Sequence, residues 1–144
     1  MQREVVTLEV EDSLGLADDL MRLGRIRHMP VTARGRLVGI VSQRDLFRAA
    51  ISSVLQFRTG VEREWLAKIP IREIMTAHVC SIGPEAPISE AAKVMLDKRI
   101  GCLPVVEGEQ LVGLLSETDC MQYLVRLLTI AETKQQLPEL PLLD

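Results

Sequence analysis

A mixed α/β (α+β) fold made of two copies of one β-α-β-β-α unit is the architecture this sequence predicts. Three observations carry that expectation. The 144-residue chain, moved along itself by 74 positions, lays residues 5–47 on residues 79–121 without a gap. Apolar residues recur in matching places at helical spacing: Leu14, Ala17, Leu20 and Met21 fall on Ile88, Ala91, Val94 and Met95. Short blocks also keep register: Pro30-Val31 with Pro104-Val105, Leu37-Val38-Gly39 with Leu111-Val112-Gly113, and Ser42 and Asp45 with Ser116 and Asp119.

Each copy follows the same order. A short β-type segment, 5–10 in the first copy and 79–82 in the second, leads to a helix start. Asp12 or Ser13 supplies a cap for the first helix, and Pro87 suits the first turn of its counterpart. A Pro-containing strand follows, at 29–32 and 103–106, then a polar Gly-containing turn, then an apolar strand at 37–41 and 111–115. Two strands around such a turn read as a hairpin. A second helix opens at Ser42 and at Ser116, with Leu46, Phe47, Ala50, Ile51, Val54 and Leu55 forming an apolar stripe in the first copy.

These signals divide the chain into repeat one (1–55), a linker and lead-in (56–76), repeat two (77–130) and a Pro-containing tail (131–144). Within the linker, 61–68 reads as an extra short helix and 71–76 as a helical lead-in to repeat two. Repeat one, which starts almost at Met1, is expected to lack a counterpart of Ile74-Met75-Thr76.

Composition narrows the function classes. Hydrophobic residues make up 47% of the chain, enough for a sizeable core. Aromatic residues are only 3%, which leaves little for base stacking, and the net charge of −3 argues against nucleic acid and anionic membranes. Three cysteines without a C-x-x-C pair read as reduced thiols, and no apolar run approaches a membrane span, so the expected setting is cytoplasmic. His28 and His78 lack metal-ligand spacing, and no nucleophile–base motif is present, so no catalysis and no catalytic cofactor are expected.

Two readings of the repeated Ser-x-x-Asp stand side by side. In one it is a capping box, in which hydroxyl and carboxylate satisfy amides of the first helical turn. In the other, the helix N-terminus attracts phosphate while the carboxylate accepts hydrogen bonds from a ribose diol. Gly39 and Gly113 either relieve crowding or let a ligand approach the backbone.

The joint order of these elements resembles a tandem pair of CBS domains, a Bateman module. The second copy carries Met75-Thr76, Glu90-Ala91-Ala92, Met95, Leu103-Pro104-Val105-Val106, Leu111-Val112-Gly113 and Ser116-x-x-Asp119; the first matches from Val5 to Asp45. The resemblance implies two sheets packed about a pseudo-twofold axis, helices outside, and two clefts for adenosine ligands: AMP, ADP, ATP or S-adenosylmethionine. It implies that Asp45 and Asp119 hold ribose with Ser42 and Ser116 beside them. His28-Met29-Pro30 and Cys102-Leu103-Pro104 would line the bases, and Thr76 would touch a ligand. It further implies a homodimer, non-catalytic binding and an effector protein that receives the signal.

The copies differ in charge. Residues 22–48 hold seven arginines and His28 against Asp45 alone, whereas 96–122 hold Lys98 and Arg99 against five acids. Arg44 stands inside the first Ser-x-x-Asp, where the second has Thr118. A guanidinium there suits phosphate, so the Asp45 cleft is expected to prefer phosphorylated adenosine more than the Asp119 cleft. Two alternatives stand beside this reading: a ligand-free dimerisation scaffold, and the regulatory portion of a larger enzyme or transporter.

Overall fold

The computed structural model describes residues 1–56, 64 and 67–134. Repeat one comprises β1 (Leu8–Glu9), α1 (Leu14–Gly24), β2 (His28–Ala33), β3 (Arg36–Ser42) and α2 (Gln43–Gln56). Repeat two comprises α3 (Ile88–Lys98), β4 (Cys102–Glu107), β5 (Gln110–Ser116) and α4 (Glu117–Thr133). The two hairpins, β2/β3 and β4/β5, have equivalent registers, from His28↔Ser42 against Cys102↔Ser116 onward. They join through a single pair, Arg36↔Gln110, giving one sheet ordered β1-β2-β3-β5-β4.

Local chemistry explains the boundaries. Ser13 caps α1 by accepting from the Leu16 amide at 3.1 Å, while the Asp12 carboxylate takes the Glu9 amide instead. The β2/β3 turn needs positive φ at Arg34 (54°) and Gly35 (79°), a two-residue turn whose twist suits the hairpin. Both α1 and α3 end on an arginine in the left-handed region, Arg25 (φ 51°) and Arg99 (φ 55°), where glycine is the usual residue.

Each repeat has its own core. Leu8, Ala17, Met21, Met29, Val31 and Val41 are buried in the first; Ala91, Met95, Leu103, Val105 and Leu115 occupy equivalent places in the second. The match breaks at the helix starts: Leu14 is buried but Ile88 is 36% exposed. The linker explains this, because Leu14 donates to the Ile69 carbonyl at 2.8 Å and Ile71 fills the adjoining core.

Three expectations change. The β-type segment at 79–82 is reduced to one bridge, Ile82↔Val105, equivalent to Leu8↔Val31 in β1/β2. The lead-in to repeat two forms a short 3-10 turn, Ile71–Glu73. The third change concerns the lead-in of repeat one: a counterpart of Met75-Thr76 does exist, and it is Met1-Gln2. Gln2 bridges Leu114 in β5 with two hydrogen bonds of 3.0 Å, as Thr76 bridges Ile40 in β3 at 2.9 and 3.0 Å. Each lead-in therefore crosses to the hairpin of the other repeat. Sequence periodicity carries no record of such long-range crossings. The linker helix expected at 61–68 falls largely outside the described residues, as does the tail from 135 on.

The glycines of β3 and β5 make these crossings possible. A Cβ on Gly39 would stand 2.5 Å from Met75 Sδ and 3.0 Å from the Thr76 carbonyl oxygen. A Cβ on Gly113 would stand 2.6 Å from Met1 Sδ and 3.1 Å from the Gln2 carbonyl oxygen. Bare backbone at these positions admits a crossing polypeptide, not a ligand.

Candidate functional site

Both Ser-x-x-Asp segments are capping boxes. Ser42 Oγ accepts from the Asp45 amide at 3.1 Å, and Asp45 Oδ2 accepts from the Ser42 amide at 2.8 Å. Ser116 and Asp119 repeat the pattern at 3.2 and 2.9 Å. The first helical amides are taken as well: Gln43 donates to the Arg27 carbonyl at 2.8 Å and Glu117 to the Gly101 carbonyl at 3.0 Å. The caps are worth about 1 kcal/mol each and hold both carboxylates rigidly, and each uses only Oδ2. Asp45 Oδ1 and Asp119 Oδ1 stand outside the boxes.

Around the first cap lies a cleft of about 770 Å³ built from both repeats. Repeat one supplies Arg27, His28, Ile40, Ser42, Gln43, Arg44, Asp45 and Arg48. The lead-in and repeat two supply Thr76, His78, Val79, Cys80, Lys98, Arg99, Ile100, Gly101, Cys102 and Glu117. Six residues expected at a site thus meet here: Ser42, Arg44, Asp45, His28, Thr76 and Cys102. Asp45 shares the cleft with the strand entries of both repeats, His28 of its own and Cys102 of the other.

Other expected residues lie elsewhere. Met29, Pro30, Leu103 and Pro104 are fully buried and do not line this cleft. Strand alternation sends Met29 and Leu103 into the two cores, so His28 and Cys102 are the members of those triplets that reach the cleft. Ser116, Thr118 and Asp119 belong to the cap of the other repeat and also do not line it. Sequence reasoning missed Arg27, Arg48, Lys98, Arg99 and Glu117 as wall residues. The chain shift of 74 pairs Arg99 with Arg25, but only the cross-repeat fold brings Lys98 and Arg99 to Asp45. A shallower hollow of about 710 Å³ shares His78, Val79, Cys80 and Lys98 with the cleft and lacks either cap.

The cleft is cationic despite the acidic chain. Arg27, Arg44, Arg48, Lys98 and Arg99 face two carboxylates, Asp45 and Glu117. Burial, with Arg27 next to it, holds the His28 imidazole below its ordinary pKa of 6.5, against the opposing pull of Asp45 and Glu117. Burial, reinforced by Glu117, pushes the Cys102 thiol up to about 12, so it is no nucleophile near neutral pH. Burial and Asp119 also raise Cys120. Among the described residues no group of three His, Cys, Asp or Glu side chains could hold a metal ion. No helix among them is long and apolar enough to cross a membrane.

Comparison with known proteins places this geometry. A profile described as "CBS domain" matches residues 1–52 and 71–126. Inosine-5'-monophosphate dehydrogenase of Korarchaeum cryptofilum is 36% identical over 118 residues, covering 81% of this chain and 22% of that protein. The chain spans between 22% and 46% of the length of three curated relatives it matches. The crystal structure of a Vibrio cholerae protein named for acetoin utilization (AcuB) superposes with a TM-score of 0.77 at 36% identity, covering 92% of each chain. The CBS domain pair of protein MJ0100, solved with 5'-methylthioadenosine and S-adenosyl-L-methionine, gives a TM-score of 0.72 at 24% identity, covering 85% of this chain and 93% of that one. With matched segments on both repeats and a solved relative of the same architecture at 36% identity, the chain belongs to the CBS domain family, as a tandem CBS pair.

Proposed function

We propose that this CBS pair is a non-catalytic regulatory module that binds a phosphorylated adenosine, AMP, ADP or ATP, in the Asp45 cleft. The observation that carries the reading is the cleft's composition: five cationic side chains against two carboxylates, one of them, Asp45, held rigid by its cap. Asp45 Oδ1 suits a ribose diol. Arg44 and Arg48 on α2, with Lys98 and Arg99 across the cleft, suit phosphate. The same fold holds adenosine ligands in MJ0100, so the architecture accommodates that class; the cationic wall selects phosphate over a sulfonium.

At the Asp119 cap the 74-residue shift puts Thr118 in place of Arg44, Gln122 in place of Arg48 and Gly24 in place of Lys98. That site is the weaker one for polyphosphate and the better one for a less anionic adenosine ligand such as S-adenosylmethionine. Three free thiols suit a reducing, cytoplasmic setting.

The partner that receives the signal is a second copy of the chain before any effector protein. No side chain of the 17-residue α4 is fully buried in the single chain. Met121, Leu124, Val125, Leu127 and Ile130 on α4 and Phe47 and Ile51 on α2 form an exposed apolar surface duplicated by the repeat. Thermal unfolding with AMP, ADP, ATP and S-adenosylmethionine tests the ligand class. A ligand at a hundred times its dissociation constant adds about 2.7 kcal/mol of stability, and no shift with any of the four favours the ligand-free scaffold.

A further inference from the structure

We infer that His28 makes the Asp45 cleft a proton-linked anion site, in which the imidazole takes up a proton as a phosphate enters. The inference rests on the phosphate reading of that cleft and adds its coupling to pH.

The geometry sets His28 at the join of the two repeats. It opens β2, pairs with Ser42 of the first cap, and lines the cleft. Across the join its Cε1 lies 3.2 Å from where a Cβ on Gly101 would stand, and Glu117 Oε2 lies 3.7 Å from the same point. Glycine at 101 is therefore what lets the ring reach the opposite repeat. The charged groups that face it are Arg27 on its own strand end, Arg44 and Asp45 on α2, and Glu117 on α4. Arg48, Lys98, Arg99 and His78 share the same cleft.

In the free protein the balance favours neutral imidazole, because burial and Arg27 outweigh the two carboxylates. A bound phosphate adds negative charge to the same space and neutralises the arginines that oppose protonation. Both effects favour imidazolium, so a proton binds with the anion.

Calorimetric titration of ATP into the full chain at pH 6 and pH 8, wild type beside His28→Gln, tests this. The titration of free ATP's own phosphate is common to both experiments, so the comparison isolates what residue 28 contributes. The expected result is a wild-type preference for pH 6 exceeding that of H28Q by about three- to fivefold, since a one-unit rise in proton affinity gives its full tenfold only well below both pKa values. In wild type the NMR-monitored titration of the His28 Cε1–H should move to higher pH when ATP is bound, a reading that needs no variant. Equal pH ratios for wild type and H28Q, or an unmoved His28 titration with ATP bound, overturn the inference and leave the phosphate reading standing. Absence of ATP binding by wild type at either pH overturns both.

Discussion

Replacing Gly39 with alanine tests how the two repeats are joined. A Cβ there would meet Met75 Sδ at 2.5 Å, Met75 Cγ at 3.0 Å and the Thr76 carbonyl oxygen at 3.0 Å. Carbon contacts are comfortable near 3.5–4.0 Å, so both neighbours must retreat. Met75 packs against the core of repeat one, and the Thr76 backbone is tied to Ile40 by hydrogen bonds of 2.9 and 3.0 Å. Retreat thus disturbs packing and a ladder together. Overpacking of this kind costs about 1–3 kcal/mol, and the gain from removing glycine's unfolded-state freedom returns about 0.5–1 kcal/mol. The net expectation is a loss of about 1–2 kcal/mol, or about 3–6 °C in Tm for a chain of this size. Gly83→Ala is the control, because its Cβ would meet nothing within 4 Å. Thermal and urea denaturation of both variants, with G39A/M75A completing a double-mutant cycle, measures the effect. Met75→Ala should restore part of the loss in the Gly39→Ala background. Equal stability of G39A and G83A would refute the claim that bare backbone at 39 accommodates the crossing segment.

Other consequences follow from single features. Arg25→Gly should raise stability by about 1 kcal/mol, since glycine adopts the left-handed cap without strain; denaturant midpoints report it, and a loss would contradict the cap assignment. The folded state holds His28 below 6.5, so the unfolded chain binds more protons as pH falls through that value. The ligand-free protein should therefore lose stability from pH 7 toward pH 5, and His28→Gln should flatten the curve of Tm against pH. Cys102, 4% exposed and with its thiol pKa near 12, should resist iodoacetamide at pH 7.5 in the folded protein and react once unfolded, as peptide mass mapping would show.

Local features were legible in the sequence because local chemistry writes them. The duplication, the helical faces around Ala17, Met21, Ala91 and Met95, the Ser13 cap and both Ser-x-x-Asp boxes depend on residues a few positions apart. What joins the repeats depends on contacts far apart in the chain. Met1-Gln2 as the counterpart of Met75-Thr76 emerges only when β5 is seen to accept it. The burial of Leu14 but not Ile88 depends on where residues 69–71 run. Lys98 and Arg99 belong by sequence to the acidic repeat two, yet the cross-repeat arrangement delivers them to the cleft of repeat one. The charge difference between copies was therefore visible in the sequence, while the assembly that concentrates it around Asp45 was not.

The central claim is that the Asp45 cleft, rather than the Asp119 cap, is the site for phosphorylated adenosine. Calorimetric titration of ATP into wild type, Asp45→Ala and Asp119→Ala tests it most directly. Each variant loses an equivalent capping box, so the structural cost is matched and the difference reports on the ligand. D45A should abolish or sharply weaken ATP binding, while D119A leaves most of it intact. Equal losses in the two variants would contradict it.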